Sequence, residues 1–290
     1  ALTWNVGGFV PTSTWLVLAT AGDAEIDFQN DIDFNNAVRT VVFGTGGTSR
    51  LSGVLSNGGV TYRGGGTGVV AGNNTYAGVT TVGVNSTNTQ VSVSSIGNGG
   101  QAGNLGAASN AAGNLVLSAG TINYTGAGET TNRNVTIAAG NGTLQGNGTG
   151  AIAWNGVTSQ AGANTLFLSG NGVATTVNRI AGTVSNGSGT LTVDKTGTGT
   201  WALDGTNTYT GVTRVTAGVL EVSNIANGGI ATRLRASSSA STNLVGNCGT
   251  LRYVGASDVT TNRAFQLANN FRIESSGTGA LQWASAADID

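Results

Sequence analysis

The sequence lacks the residue types on which most catalytic and metal sites depend. Among 290 residues there is no histidine and no methionine, and there is one cysteine and one proline. Without histidine the chain cannot build a Ser-His-Asp or Cys-His catalytic arrangement, and it lacks the commonest transition-metal ligand. A single cysteine also excludes an internal disulfide framework and a thiolate metal site. We interpret that residue, Cys248, as a small buried apolar side chain.

Charge is also scarce. Charged residues make up 9% of the chain, and the net charge is −1. The basic residues are scattered singly, so nucleic acid is not expected as a partner. Apolar runs such as residues 15–19 are far shorter than the ~18 residues of a membrane helix, so no membrane-spanning segment is expected. The first residues, Ala1 to Trp4, are typical of a mature chain after signal-peptide removal, which predicts a secreted protein, extracellular or at the cell surface.

Glycine and short alternating segments are abundant instead. The chain has 49 glycines, and 39% of its residues are apolar. Short runs of alternating polarity, such as residues 115–117, 190–193 and 219–222, are rich in β-branched residues and separated by glycine turns. This pattern is typical of β-strands, and no window has the apolar spacing of an amphipathic helix. We therefore predict an all-β protein with essentially no helix.

The chain contains two copies of one long sequence unit. Residues 74–80 recur as 207–213 with one change, and Thr-Thr-Asn-Arg occurs at both 130–133 and 260–263. Because long internal repeats of short strands are the signature of stacked coils, the sequence predicts a β-solenoid of roughly 20–25 residues per coil. We expect residues 114–154 and 243–283 to form equivalent coils, stepped along one axis.

These repeats define four segments of one continuous solenoid. Residues 1–30 have no second copy and form an end segment, 31–150 form the first repeat unit, 151–279 the second, and 280–290 the start of a further unit. An open coil end exposes unpaired backbone groups. Either this end stacks on residues 1–30 of an identical chain, or the covalent chain is longer than this sequence. We favour the first outcome, head-to-tail association into a filament or surface layer, because contacts that do not close into a ring propagate.

One stretch resembles a known family. Residues 189–220 carry Lys195, Trp201, Asn207 and Tyr209 between regularly spaced glycines, and an eroded copy lies at residues 59–82. Both resemble the autotransporter-associated β-strand repeat, also called the passenger-associated transport repeat. The resemblance implies a right-handed parallel β-helix that is exported to the cell surface or released.

An acidic cluster is the one candidate metal site. Its acidic residues alternate with apolar ones, which places the carboxylates on one face of a strand. One interpretation is a Ca²⁺ site, since hard oxygen ligands suit that ion. The other is a solvated edge whose charge discourages unwanted strand pairing. The cluster comprises Asp23, Glu25, Asp27, Asp31 and Asp33.

The sequence is compatible with three candidate functions. The leading hypothesis is an extracellular structural protein that forms a rod. The alternative is an autotransporter-type adhesin that binds surface glycans, and the third is a polysaccharide-active enzyme. We expect no enzyme and no cofactor other than the Ca²⁺ above, because the other acidic residues are isolated from one another. We interpret the recurring tyrosines and tryptophans as core. The remaining candidates for an adhesive aromatic patch are then Phe9, Trp15, Phe28, Phe34 and Phe43.

Overall fold

The structure, a computed structural model, describes residues 15–18, 24–84, 88–171 and 176–284. Within these ranges the chain forms 27 strands and no α-helix, and two short 3₁₀ turns lie at Ala112–Asn114 and Ser241–Asn243. In chain order the strands are β1 (Trp15–Leu18), β2 (Ile26–Phe28), β3 (Ile32–Phe43), β4 (Ser49–Leu51), β5 (Leu55–Arg63), β6 (Thr67–Val70), β7 (Thr80–Val82), β8 (Thr89–Val93), β9 (Leu115–Leu117), β10 (Gly120–Tyr124), β11 (Ala127–Thr130), β12 (Asn134–Ile137), β13 (Gly142–Gly146), β14 (Gly150–Trp154), β15 (Gly156–Ser159), β16 (Ala163–Ser169), β17 (Val177–Ile180), β18 (Thr190–Lys195), β19 (Thr200–Leu203), β20 (Thr213–Val215), β21 (Val219–Val222), β22 (Leu244–Gly246), β23 (Thr250–Tyr253), β24 (Val259–Thr261), β25 (Gln266–Leu267), β26 (Arg272–Ser275) and β27 (Leu281–Trp283).

The strands stack in parallel as a β-solenoid, which confirms the predicted fold class. The first sheet has the order β1-β3-β5-β7-β9-β12-β15, and the second β2-β4-β6-β8-β10-β13-β16-β18-β20-β22-β25. The third has the order β11-β14-β17-β19-β21-β23-β26, and β24 pairs with β27. From β10 to β16 the chain visits the second, third and first sheets in turn, so these coils are three-sided. Before β10 the strands alternate between the first and second sheets, and from β16 to β23 they alternate between the second and third.

Coil length varies more than the sequence suggested. In the second sheet, the step from Ser49 to its partner Gly68 is short, whereas the step from Thr89 to its partner Gly120 is long. A second long step runs from Thr213 to its partner Leu244. The two long steps contain the loops 94–114 and 223–243, which are not part of the three sheets. The predicted coil length is therefore close to correct only for coils without these loops.

The second repeat unit is rotated about the solenoid axis relative to the first. β7 and β9 lie in the first sheet, whereas their sequence counterparts β20 and β22 lie in the second. From β10 the chain returns to the second sheet five times before it reaches β23, the counterpart of β10, in the third sheet. One repeat unit thus equals five turns and one further face. The equivalent coils are stepped along the axis, as expected, but they are also rotated by one face, which the sequence analysis did not anticipate.

Asparagine and glycine form some of the corners. The long strand β3 bends at Asn35 and Asn36, whose φ angles are 51° and 53°, and β5 bends at Asn57 and Gly58, at 51° and 135°. The register between β3 and β5 shifts at this bend. Asparagine and glycine are the residues that adopt positive φ at least cost, so their side-by-side placement lets two successive coils turn together.

Inward and outward side chains alternate along the strands. In β16, Leu166 and Leu168 are fully buried, and Phe167 between them is half-buried. The inward residues of all faces join in one apolar core that runs along the solenoid. Because each face contributes alternate residues to this core, most of the polar positions are left on the outside. Some strand residues that are polar, such as Ser49 and Lys195, are nevertheless buried.

Candidate functional site

The acidic cluster lies on the outer face of the first described coils. Glu25, Asp27, Asp31 and Asp33 are exposed, and the apolar residues between them point inward or pack against the core. Asp23 lies outside the described residues. The predicted alternation of acidic and apolar residues is therefore present from residue 25 to residue 33.

Three of these carboxylates bond to the next coil. Asp27 Oδ1 accepts a hydrogen bond from the Ser52 hydroxyl at 2.6 Å, and Asp31 Oδ1 accepts one from the Val54 amide at 2.7 Å. Asp33 Oδ2 accepts one from Asn57 Nδ2 at 2.9 Å. The Ser52 hydroxyl lowers the pKa of Asp27, and the Asn35 amide, followed by Asn57, lowers the pKa of Asp33. Asp27, Asp31 and Asp33 therefore link neighbouring coils through hydrogen bonds.

The carboxylates do not converge on a common point. Among the residues that the structure describes, no group of three or more cysteine, aspartate or glutamate side chains is placed to hold a metal ion. Asp27, Asp31 and Asp33 are each directed at a different partner in the following coil. The Ca²⁺ site over Asp23 to Asp33 stays a prediction.

The proposed N-terminal aromatic patch is wrong in part. Phe34 and Phe43 are buried to 1% and 0% exposure, and Phe43 stacks on Tyr62 with ring centroids 5.5 Å apart. Phe28 packs against the core from a partly buried position. Phe9 and the side chain of Trp15 lie outside the described part of the structure. Alternation along β3 points Phe34 and Phe43 inward, so these two side chains are unavailable to a ligand.

The recurring tyrosines are core residues, as predicted. Tyr76 and Tyr209 are both fully buried, and each hydroxyl lies 2.8 Å from the hydroxyl of the next threonine in the motif, Thr80 or Thr213. Burial raises the pKa of both tyrosines to about 12. The same contact in both copies shows that this part of the motif is structural.

Two buried arginines organise the long loops, a role that the sequence analysis missed. Arg133 is 2% exposed and donates from Nε to Gly97 O at 3.2 Å, from Nη1 to Ala108 O at 3.2 Å and from Nη2 to Gly106 O at 2.5 Å. These three carbonyls belong to the loop 94–114. The guanidinium thus replaces the backbone partners that the loop does not find in a sheet.

The second unit repeats this clamp. Arg263 donates from Nε to Ala226 O at 2.8 Å, from Nη1 to Ser237 O at 3.1 Å and from Nη2 to Arg235 O at 2.8 Å. Burial lowers the pKa of Arg263, as it does for Arg133. The repeated Thr-Thr-Asn-Arg sequence was the available signal, because a motif kept in both copies is expected to make the same contacts in both.

The motif lysine is buried and the cysteine is exposed. Lys195 Nζ donates to the carbonyls of Gly197 at 2.9 Å and Ala217 at 3.1 Å, and burial lowers its pKa to about 8. Cys248, by contrast, is exposed and adopts a φ of 57° at a turn, so its predicted burial is wrong. Its counterpart in the first unit, Ala119, has the same φ. The turn places this side chain outside the coil.

The repeated segments of this chain are similar to those of known proteins. The model of the passenger-associated transport repeat matches residues 60–83 and 193–222, which contain the two buried tyrosines. The chain belongs to the family of proteins that carry this repeat. It is 38% identical over 204 residues to the adhesin BmaC autotransporter of Brucella suis biovar 1 (strain 1330). The match covers 68% of this chain and 6% of the relative, so the passenger-repeat chain spans a small part of that protein's length.

No solved structure matches the chain significantly. Within the described residues, no helix has the length and apolar character that crossing a membrane requires.

Proposed function

We propose that this chain is a segment of the extracellular stalk of an autotransporter-type surface protein. The observation that carries the proposal is that the repeated side chains are used internally. Tyr76 and Tyr209 fill the core, and Arg133 and Arg263 hold loops of their own chain. A sequence that repeats its internal contacts maintains a shape along its length. The role supported is mechanical and does not involve catalysis.

The length of the stalk follows from strand spacing. The second sheet contains eleven strands. At ~4.8 Å between neighbouring strands, the described coils form a rod roughly 50 Å long. Each further unit of five turns and one face would add about 26 Å on the same spacing.

A duplication experiment tests the stalk. A second copy of residues 151–279 is inserted after residue 279, and the maximum dimension of both proteins is measured by small-angle X-ray scattering. We expect an increase of about 26 Å with an unchanged cross-section. An increased cross-section without added length would contradict a continuous solenoid.

Location is tested separately. Antibodies against this chain should label intact cells of the source organism, and protease added to intact cells should remove the labelling. Labelling that requires permeabilised cells would contradict an extracellular stalk.

An adhesin is the second candidate, because the Brucella suis relative is named as one. Saturable binding of the purified chain to host cells would favour it over a purely mechanical role. The named relative is far longer than the matched segment, so its adhesive part need not lie in the region similar to this chain.

Head-to-tail association stays a prediction. Most of the end segment, residues 1–14 and 19–23, and residues 285–290 lie outside the described residues. If residues 1–30 mediate association, their deletion should leave monomeric rods in sedimentation velocity, whereas the full chain forms larger species. Equal sedimentation of both proteins would contradict the prediction.

A further inference from the structure

The two long loops align without a gap but differ in the residue at the base of the loop. Loop 94–114 corresponds to loop 223–243, and both contain the segment held by the arginine clamp described above. In the first loop residue 104 is asparagine, and in the second the equivalent residue is Arg233. This difference changes the hydrogen bonds at the base of each loop.

In the first unit Asn104 closes the base of the loop. Its Oδ1 accepts hydrogen bonds from the amides of Ser94 at 3.1 Å and Ser95 at 2.9 Å. Its Nδ2 donates to Gly72 O in the preceding coil at 3.1 Å. Asn104 is 6% exposed, so the amide group fills the space between the loop and the previous coil.

In the second unit no described side chain replaces this amide. Arg233 Nε donates to Ser223 Oγ at 3.3 Å, and Arg233 has no carboxylate within ion-pair distance in the described part of the chain. The amides of Ser223 and Asn224, the counterparts of Ser94 and Ser95, bond to no side-chain acceptor among the described residues. A cation and two backbone donors are thus left there without an anionic partner.

A polar cavity lies at this place. Its volume is about 290 Å³, close to the lower limit of ~300 Å³ for small-molecule sites. Three of the lining residues, Thr206, Ser223 and Thr232, carry hydroxyl groups that can bond to a polar ligand. The complete lining is Thr206, Ser223, Asn224, Ala231, Thr232 and Arg233.

We propose that this cavity binds the carboxylate of an acidic sugar residue. The Arg233 guanidinium and the Ser223 and Asn224 amides are suitable donors for a carboxylate, and charged hydrogen bonds of this kind are the strong ones. The threonine hydroxyls and the Asn224 amide side chain can bond to sugar hydroxyls. This inference goes beyond the stalk function, because it assigns a ligand to one coil of the rod and to the second unit only.

The test uses the whole chain and sodium glucuronate as the probe. Titration is followed by ¹⁵N NMR and by calorimetry, with glucose as the neutral control and sodium sulfate as a sugar-free anion. We expect saturable shifts of the Ser223 and Asn224 amides with glucuronate, weaker shifts with sulfate and none with glucose. Equal shifts with sulfate and glucuronate would overturn the sugar assignment, and no shift with either anion would overturn the site.

Substitution provides the matched controls. Arg233→Asn restores the residue of the first unit, and Arg233→Gln removes the charge while keeping a long side chain; each should weaken glucuronate binding by at least about tenfold. Arg272→Asn removes a side chain that is 70% exposed elsewhere, and it should leave the affinity unchanged. Circular dichroism checks that each variant is folded. Full affinity in a folded Arg233→Gln variant would overturn the proposal.

Discussion

Single buried polar residues determine the stability of the long loops. Arg133 satisfies carbonyls of a loop that has no sheet partner, and no carboxylate neutralises it by direct contact in the described residues. Removal of such a group leaves several buried acceptors without donors, which costs more than the hydrogen bonds themselves contribute.

Arg133→Met should therefore destabilise the protein by about 3–5 kcal/mol. The methionine fills a similar volume, so the loss reflects the carbonyls of Gly97, Gly106 and Ala108, which are left without donors. Urea unfolding monitored by circular dichroism measures the change. Arg179→Met, at a side chain that is 44% exposed, is the control and should change stability by less than about 1 kcal/mol. Equal effects at both positions would contradict the clamp.

The tyrosine–threonine contact makes a finer prediction at the same scale. Tyr209→Phe should cost about 1–2 kcal/mol, because it leaves the buried Thr213 hydroxyl without its partner. Tyr76→Phe should cost less, since the Thr80 hydroxyl also reaches Leu105 O at 3.3 Å. Thermal unfolding of the two variants tests the order, and a larger loss for Tyr76→Phe would contradict it.

At the scale of the strand, glycine makes room for aromatic side chains of neighbouring coils. Gly68 in β6 faces the ring of Phe43, and a Cβ atom at residue 68 would lie 2.1 Å from that ring. Phe43 cannot retreat easily, because it is fully buried and stacks on Tyr62. The glycine is thus required by packing between coils, since its φ angle lies outside the positive region that favours glycine.

Gly68→Ala should accordingly destabilise the protein by about 1–3 kcal/mol through overpacking. The matched control is Gly113→Ala, in a 3₁₀ turn where an added Cβ would meet no atom within 4 Å. That substitution should be neutral or slightly stabilising, since it restricts the unfolded chain. Chemical denaturation distinguishes the two, and a neutral Gly68→Ala would show that the core can adjust.

At the scale of the whole molecule, buried lysine and tyrosine side chains link stability to pH. The pKa of Lys195 falls from 10.5 to about 8 on folding, so the unfolded chain binds more protons between these values. Stability is then expected to rise with pH across this interval. Tyr76 and Tyr209 have a pKa of about 12 in the fold against 10 when unfolded, so stability falls as pH rises above 10.

We therefore predict a stability maximum near pH 10 and a flat profile between about pH 5 and 7. The rise above pH 7 should amount to at most about 3 kcal/mol. Urea unfolding at intervals from pH 5 to 11 measures it. Lys195→Met should abolish the rise and keep the decline above pH 10. A rise that persists in this variant would assign it to another group.

Much of the fold could be read from the sequence because its causes are local. Alternating residues such as those of β16 specify strands, and Asn57-Gly58 specifies a corner through its backbone preferences alone. Recurrence of the tyrosine motif around residues 76 and 209 indicated that both copies have the same structural role. These signals need no knowledge of neighbours, so the all-β solenoid and the buried tyrosines followed from them.

The tertiary structure decided what depends on the coil above or below. The rotation of the second unit by one face results from the summed lengths of all intervening coils, and no local pattern records that sum. The acidic residues share a strand face, yet Asp27, Asp31 and Asp33 bond to partners in the next coil and do not converge. The cavity beside Arg233 exists because the loop 223–243 lacks the asparagine that closes the base of the loop 94–114. Sequence determined the strands and turns, whereas stacking determined the partner of each polar group.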